Sequence, residues 1–376
     1  SLLIFILGII LFFIFLLKKK YKIKSLIIFL SILIIFFPLA IITEPNEDFY
    51  FYYQPYMNYL QGSKIIFGIV NVNNTLAFST YSFYDIIIFF NINDKFKNGF
   101  SIPILIFYFF YLTFLIELLI KKFNFFYFMI LILSIVSFAK LRDIGTVIPP
   151  QLLLIIISCL IYSMLISGPK QEIFTKILLL LIFAIVLRFN SIVVFPLILF
   201  LFLKYYKLVF SYLINHKKTT FFIFFILLLF FTKNIINSGC LVYPVKSVCF
   251  EKLYWSSNLK VTEQKYYKLS SDSKGWPFYA KENFEIDDKF VWKNLNKEGF
   301  YSYDNYIKKS PIFWTKYWIK DPNYKKIINL FLISILILLI SNISKNNKIH
   351  SYYINKKDLI FFTSSILCVI IIWFLL

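Results

Sequence analysis

The chain alternates long apolar runs with short lysine-bearing breaks. Apolar stretches fall at residues 1–17, 25–42, 101–120, 123–139, 151–167, 173–187, 191–203, 219–231, 327–343 and 359–376. A helix rises about 1.5 Å per residue, so most of these runs are of the length that crosses a hydrocarbon core about 30 Å thick. The pattern predicts an all-α polytopic membrane protein with about ten transmembrane helices and external loop elements. The run 191–203 is short for a span.

The breaks orient the helices. Lys18, Lys19, Lys20, Lys22 and Lys24 follow the first run, Lys121 and Lys122 split a tight hairpin, and Gly168-Pro169-Lys170 closes another. Lys204, Lys207, Lys217 and Lys218, and then Lys345, Lys348, Lys356 and Lys357, mark two more breaks. Lysine-rich short loops stay on the cytoplasmic side. The alternate breaks are then external: 44–100 as a first loop with a short apolar patch at 83–90, Lys140 to Pro150, Arg188-Phe189-Asn190, and a polar region at 232–326. The expected organisation is two N-terminal spans (1–43), the first external loop (44–100), a transmembrane bundle (101–231), an external region (232–326) and two C-terminal spans (327–376).

Composition narrows the picture further. The chain is 60% hydrophobic with 48 Phe and a mean hydropathy of +0.75, more than a soluble core of this length uses. A formal charge of +21 would point to nucleic acid in a soluble protein. Here the lysines sit between apolar runs, so membrane lipids and not nucleic acid are the expected surroundings. The excess of Phe, Ile, Lys, Asn and Tyr reads as AT-rich coding rather than pore chemistry. The chain opens on Ser1 and shows no signal peptide with a small-residue cleavage site, which leads us to expect a missing upstream piece.

No GxGxxG, P-loop, HExxH or CxxC motif is present, and His216 and His350 both fall in predicted cytoplasmic loops. A histidine triad or zinc site is therefore not expected, which leaves carboxylates, cations and amides. The densest carboxylate group is Glu44, Glu47 and Asp48, at the mouth of the second apolar run. A carboxylate there could take a proton from a hydroxyl attacking a lipid-linked sugar. The plainer alternative is a polar cap at a helix end.

Cations form a second group. Lys140, Arg142, Arg188 and Lys233 stand at predicted external boundaries, with Asp143 beside Arg142. Arg can grip a phosphate with its bidentate fork and Lys as a point charge. The alternative is snorkelling anchors at helix ends, with Arg142-Asp143 a local ion pair. Aromatic residues from Phe49 through Tyr52 and Tyr53 to Tyr59 could stack on sugar faces or form the ordinary interfacial belt, and Trp276, Trp292, Trp314 and Trp318 carry the same two readings. Cys240 and Cys249 lie nine apart on the predicted external side and can form a disulfide, worth about 2–3 kcal/mol through loop closure. Cys159 and Cys368 fall inside predicted spans as packing residues.

The order of these features resembles the GT-C class of integral membrane glycosyltransferases, which use polyprenyl-phosphate sugars. Two segments are similar to one bacterial branch of that class: Gly68-Ile69-Val70-Asn71-Val72-Asn73 through Phe83, and the Ser-Gly-x-x-x-Tyr-Pro run at 238–244 after Lys233-Asn234. The resemblance implies a GT-C-like bundle in the bacterial inner membrane with its active face toward the periplasm. It implies Asp48 as the catalytic or metal-linked carboxylate with Glu47 its neighbour, and Asp143 as a second external acid. A divalent metal shared by Asp48 and Asp143 is an open option, and the cofactor is otherwise unassigned. On this reading Arg142 and Arg188 hold the donor phosphate, with Lys140 and Lys233 as further cations, while Tyr52, Tyr53 and Asn71 line the sugar or acceptor site. The expected partners are a polyprenyl-phosphate sugar donor and a glycan or lipid acceptor.

Two other readings stay in view. A lipid-linked glycan transporter or flippase should carry ionisable residues or broken helices at mid-bilayer, and the predicted spans hold mainly Glu117 near a cytoplasmic end. A glycan polymerase would offer an external loop rich in Arg or His, and residues 232–326 contain neither.

Overall fold

The computed structural model describes residues 23–41, 50, 54–62, 66–78, 102–121, 125–137, 148–283 and 301–320. Among these residues the backbone is helical or irregular, with no strand and one isolated bridge between Cys240 and Cys249. The chain divides into two units, Ser1–Asn237 with Tyr352–Leu375, and Ser238–Ser351 with Leu376.

In the first unit, every apolar run that lies within the described residues is helical. The helices are α1 (Ile23–Ile41), α2 (Gln54–Gly62), α3 (Ile102–Lys121), α4 (Phe125–Ser137), α5 (Ile148–Ser167), α6 (Gln171–Leu187), α7 (Phe195–Lys204), α8 (Tyr206–Asn215) and α9 (Lys217–Ser238). Short 3-10 turns cover Ile69–Asn71, Asn74–Ala77 and Phe189–Val194. Ile148–Leu165 and Lys217–Ser238 are long and apolar enough to cross a membrane, and a third span results if the pair of helices bent by 95° at Tyr205 is counted as one. The 22 residues of α9 rise about 33 Å. Its Phe221, Phe222, Phe224, Phe225, Leu228 and Leu229 are exposed, as suits lipid-facing positions. The expected runs 1–17, 327–343 and 359–376 lie outside the described residues.

Three boundaries differ from the sequence expectation. Residues 204–218 were expected as a loop, yet they contain α8, which turns sharply away from α7 and buries Val209 and Tyr212. The span expected at 219–231 instead continues as α9 to Ser238, where Asn234 is buried and its neighbours Ile235 and Ile236 keep the turn apolar. Pro149 and Pro150, expected in a loop, form the first turn of α5, where a missing backbone N–H costs nothing.

The core of this unit includes a cluster drawn from α1, α2, the 66–78 segment, α3, α4, α5 and the end of α6, a second drawn from α5, α6 and α7, and a small one between α6 and α8. Hydroxyl contacts link two helices of the first cluster. The Tyr108 hydroxyl donates to the Ser134 carbonyl at 2.7 Å, and Tyr111 meets the Ser134 hydroxyl at 2.5 Å while that hydroxyl bonds back to Ile130 O. These bonds join α3 to α4 where no water would serve. Cys159 is fully buried in the same cluster, as a packing residue.

The second unit is polar outside and aromatic inside. Helix α10 (Leu259–Ser273) starts on an Asn258 cap whose Oδ1 accepts from Lys260 N at 2.9 Å. It is followed by α11 (Trp276–Asn283), α12 (Tyr303–Ile307) and α13 (Pro311–Trp318). Trp276, Tyr279, Tyr306, Trp314 and Tyr317 pack together, and both indole N–H groups are satisfied, by Tyr301 O at 3.1 Å and Tyr306 O at 2.8 Å. Lys274 lies 4.5 Å above the Trp314 ring, and burial pushes its pKa below the usual lysine value.

Two glycines separate conformational strain from steric crowding. Gly168 and Gly239 both have positive φ, +83° and +74°, but a Cβ at Gly168 meets nothing whereas one at Gly239 falls on the Ser256 side chain and backbone. Gly168→Ala is expected to cost about 1–2 kcal/mol and Gly239→Ala about 3 kcal/mol or more. Thermal unfolding of the two variants in one detergent should rank them in that order.

Candidate functional site

The residues nearest the sequence-predicted site are organised around one end of the helical bundle. The segment 66–78 reaches it through two anchors. Gly68 adopts the left-handed region (φ 67°, ψ 40°), which turns its N–H toward the carbonyl of Ile236 on the last turn of α9, at 2.8 Å. Ile69 and Leu76 are buried in the main cluster, so the turn between them presents Asn71, Val72 and Asn73 on the exposed side. Asn73 then caps the following turn, its Oδ1 accepting from Thr75 N at 2.9 Å and from the Thr75 hydroxyl at 2.6 Å.

Arg188 stands at the same end. Its N–H still bonds Ala184 O at 2.9 Å, closing α6, while its carbonyl accepts from Ser191 N at 2.9 Å, opening the 3-10 turn. The chain therefore bends there without leaving bare backbone groups. Arg188 is half-buried, its predecessor Leu187 is in the main cluster, and its successor Phe189 stacks on Phe230 of α9 at 6.5 Å. Phe230 and Ile236 are six residues apart, about 9 Å along α9. Half-buried Lys233 and buried Asn234 lie between them. The two segments holding Asn71 and Arg188 are thus both tied to the stretch of α9 that carries Lys233.

The other predicted residues are approached through their chain neighbours. Glu47, Asp48, Tyr52, Tyr53, Lys140, Arg142 and Asp143 lie outside the described residues. Tyr56 and Met57 follow the first acidic segment, and Leu152 and Leu153 follow the Lys140–Asp143 loop. All four are buried in the cluster that also contains Ile69, Leu76, Ala184 and Leu187. Among the described residues no group of three His, Cys, Asp or Glu could hold a metal ion. The acids proposed for a shared metal, Asp48 and Asp143, are not among them.

Sequence reasoning passed over Asn234 as a site residue. Its signal was an amide one turn from the end of an apolar helix, and its burial makes it a group that must be hydrogen-bonded or solvated inside the protein. The basic side chains are also unequal: Arg142 and Arg188 are the two arginines of a chain whose other cations are lysines. Lys is the default cation here, so a guanidinium at a helix break supplies a fork that a lysine cannot.

The Ser-Gly-Cys run at 238–240 opens the second unit. Ser238 O accepts from Ser257 N at 3.0 Å, Gly239 O from Phe250 N at 2.8 Å, and Val248 O from Leu241 N at 3.0 Å. These bonds lay residues 239–241 antiparallel to 248–250, and Cys240 and Cys249 are joined by a disulfide. Nearby, Lys246 and Glu263 form an exposed ion pair at 2.8 Å that raises the lysine pKa and lowers that of the carboxyl. Reduction of the disulfide is expected to destabilise this unit by about 2–3 kcal/mol. Alkylation of Cys240 and Cys249 should therefore appear only after a reductant is added, with a drop in Tm that Cys240→Ser/Cys249→Ser reproduces without reductant.

Comparison with curated proteins and with solved structures gave no match. A family model matches residues 1–299, which is most of the chain and takes in the whole 66–78 segment, Arg188, Lys233 and the disulfide. The chain belongs to that family, which is described as a domain of unknown function, DUF8201.

Proposed function

We propose that the chain is an integral membrane glycosyltransferase of the GT-C kind, a bundle of about ten helices in the bacterial inner membrane. It moves a sugar from a polyprenyl-phosphate donor to a glycan or lipid acceptor at the periplasmic face. The observation that carries this reading is the single buried cluster shared by the flanks of the candidate segments: Tyr56 and Met57, Ile69 and Leu76, Leu152 and Leu153, and Ala184 and Leu187. Asn71 and Arg188 are within two residues of a member of that cluster, while Asp48 is eight residues before Tyr56 and Arg142 and Asp143 are ten and nine before Leu152.

On this reading Asp48 takes the proton of the acceptor hydroxyl, with Glu47 beside it. The hydroxyl oxygen forms a bond to the anomeric carbon as the bond from that carbon to the phosphate oxygen breaks, and configuration inverts. The leaving phosphate departs with the electron pair and is held by Arg188 and Arg142, with Lys140 and Lys233 making the local potential more positive. Asn71, Tyr52 and Tyr53 orient the sugar or acceptor. Asp143 is the second acid, and a divalent ion between it and Asp48 would neutralise the phosphate further.

Asp48→Asn is expected to reduce sugar transfer by about 10²–10⁴-fold while the protein inserts and folds normally. Transfer at the unmodified rate would make the acidic pair a helix cap. Orientation has its own test. Gly62→Cys should react with a membrane-impermeant maleimide in intact cells with a permeabilised outer membrane, and reaction only after lysis would place the acids on the wrong side for this function.

A further inference from the structure

Helix α8 was expected as loop, and its surface is divided in an unusual way. Successive residues advance about 100° around a helix, so the ten residues of α8 can be sorted by direction. One sector, with Val209 and Tyr212, is buried, and Tyr212 meets Phe174 of α6 edge-on at 5.7 Å. A second sector carries Tyr206, Phe210 and Ile214, at 57%, 63% and 52% exposure, in the i, i+4, i+8 spacing of a continuous apolar stripe. The third carries Lys207, Ser211 and Asn215, all exposed and all polar.

A helix inside a soluble surface has no reason for the second sector, and a membrane span has no place for the third. A helix lying along a bilayer surface, docked on its own protein by one side, needs all three. The bend of 95° between α7 and α8 turns the chain off the direction of the preceding helix. The docking partner Phe174 is 13 residues from Leu187, so α8 sits about 20 Å along α6 from the Arg188 end.

Charge identifies the surface. Lys204, Lys207, Lys217 and Lys218 flank or lie on α8, and Lys170 and Lys176 stand on or beside the same end of α6. Glu172 lies between Lys170 and Lys176, and from Ile173 to Phe250 the sequence has no further acidic residue. The Lys207 ammonium reaches back to within 6.0 Å of the Tyr206 ring centre, at the seam between the apolar and polar sectors.

We propose that α8 is an interfacial anchor that sinks Tyr206, Phe210 and Ile214 below the headgroups of an anionic lipid leaflet, with Lys207, Lys217 and Lys218 holding the headgroup charge. The proposal requires the chain to be membrane-embedded and is independent of the transferase reading. The occupant of the stripe is lipid, and the anchor fixes the end of α6 remote from Arg188 at the opposite bilayer surface.

The test uses the full chain with Cys159 and Cys368 replaced by Ala and the disulfide left oxidised. Phe210→Cys and Ser211→Cys each receive a nitroxide, and the proteins are reconstituted in phosphatidylcholine bilayers with and without phosphatidylglycerol. Collision with oxygen, which partitions into lipid, and with a water-soluble nickel chelate reports depth. The expected result is a severalfold higher oxygen-to-nickel ratio at 210 than at 211, increasing when phosphatidylglycerol is present. High salt, or Lys207→Gln/Lys217→Gln/Lys218→Gln, should remove that increase. Equal ratios at the two positions would overturn the proposal, as would a label at 210 shielded from both reagents, the result for a second copy or other protein covering the stripe. No response to phosphatidylglycerol would overturn the assignment of the lysines.

Discussion

The constraint on which the structure depends is that backbone N–H and C=O groups at membrane depth must find partners within the protein. Helices meet it internally, which is why the described part of the first unit is helical wherever it is apolar. The irregular stretches meet it by attachment to helices. Gly68 gives its N–H to Ile236 O, and Arg188 is bonded through its N–H to α6 and through its carbonyl to the following turn. Only a glycine takes the backbone angles of residue 68 at little cost, so that residue sets where the 66–78 segment attaches. Once it is attached, Ile69 and Leu76 enter the core and Asn71 is left on the exposed turn.

The same economy governs side chains. Apolar surface gives little driving force between helices in lipid, so the bundle relies on close packing and a few interhelical hydroxyl bonds. Tyr108, Tyr111 and Ser134 provide these between α3 and α4. In the second unit the balance is reversed. Its stability comes from burying aromatic rings whose N–H and O–H groups reach carbonyls, as Trp276, Trp314 and Tyr306 do, and from a disulfide that closes its first loop. Phe and Ile in the first unit and Tyr and Trp in the second follow from this difference in solvent.

Local pattern made some of this legible and could not have made the rest so. The apolar runs that become α3, α5 and α6 declare themselves because a helix in lipid is apolar on every side, and length then sets the span. The α8 segment does not declare itself. Lys204, Lys207, Lys217 and Lys218 make it look like a break, and its helix is visible only when Val209 and Tyr212 are seen to pack against α6. The end of α9 was misjudged for the converse reason. Thr232, Lys233 and Asn234 look like the exit into water, but a helix can keep polar residues in its last turns when protein covers them, as it covers Asn234. At the candidate site, position at the end of an apolar run was enough to single out Arg188 and Lys233. That Leu187 shares a cluster with Ile69, more than a hundred residues earlier, is a long-range contact no local pattern encodes.

Charge then distinguishes the two ends of α6 in the first unit. One end of α6 carries the sharp break at Arg188, beside a positive-φ glycine and the polar last turns of α9. The other end carries the positive-φ Gly168, a docked helix and a group of lysines, with Glu172 among them and no further acid until Glu251. Both ends carry a positive-φ glycine, so the side chains are what distinguish them: an arginine and amides at one, lysines at the other. Clustered lysine charge gives little chemical selectivity, and it lies where an anionic surface would meet it on the proposal for α8. On the two proposals made above, the Arg188 end binds one molecule and the α8 end holds a membrane, and such ends differ in this way because selectivity needs fixed directional groups and anchoring needs only area and charge.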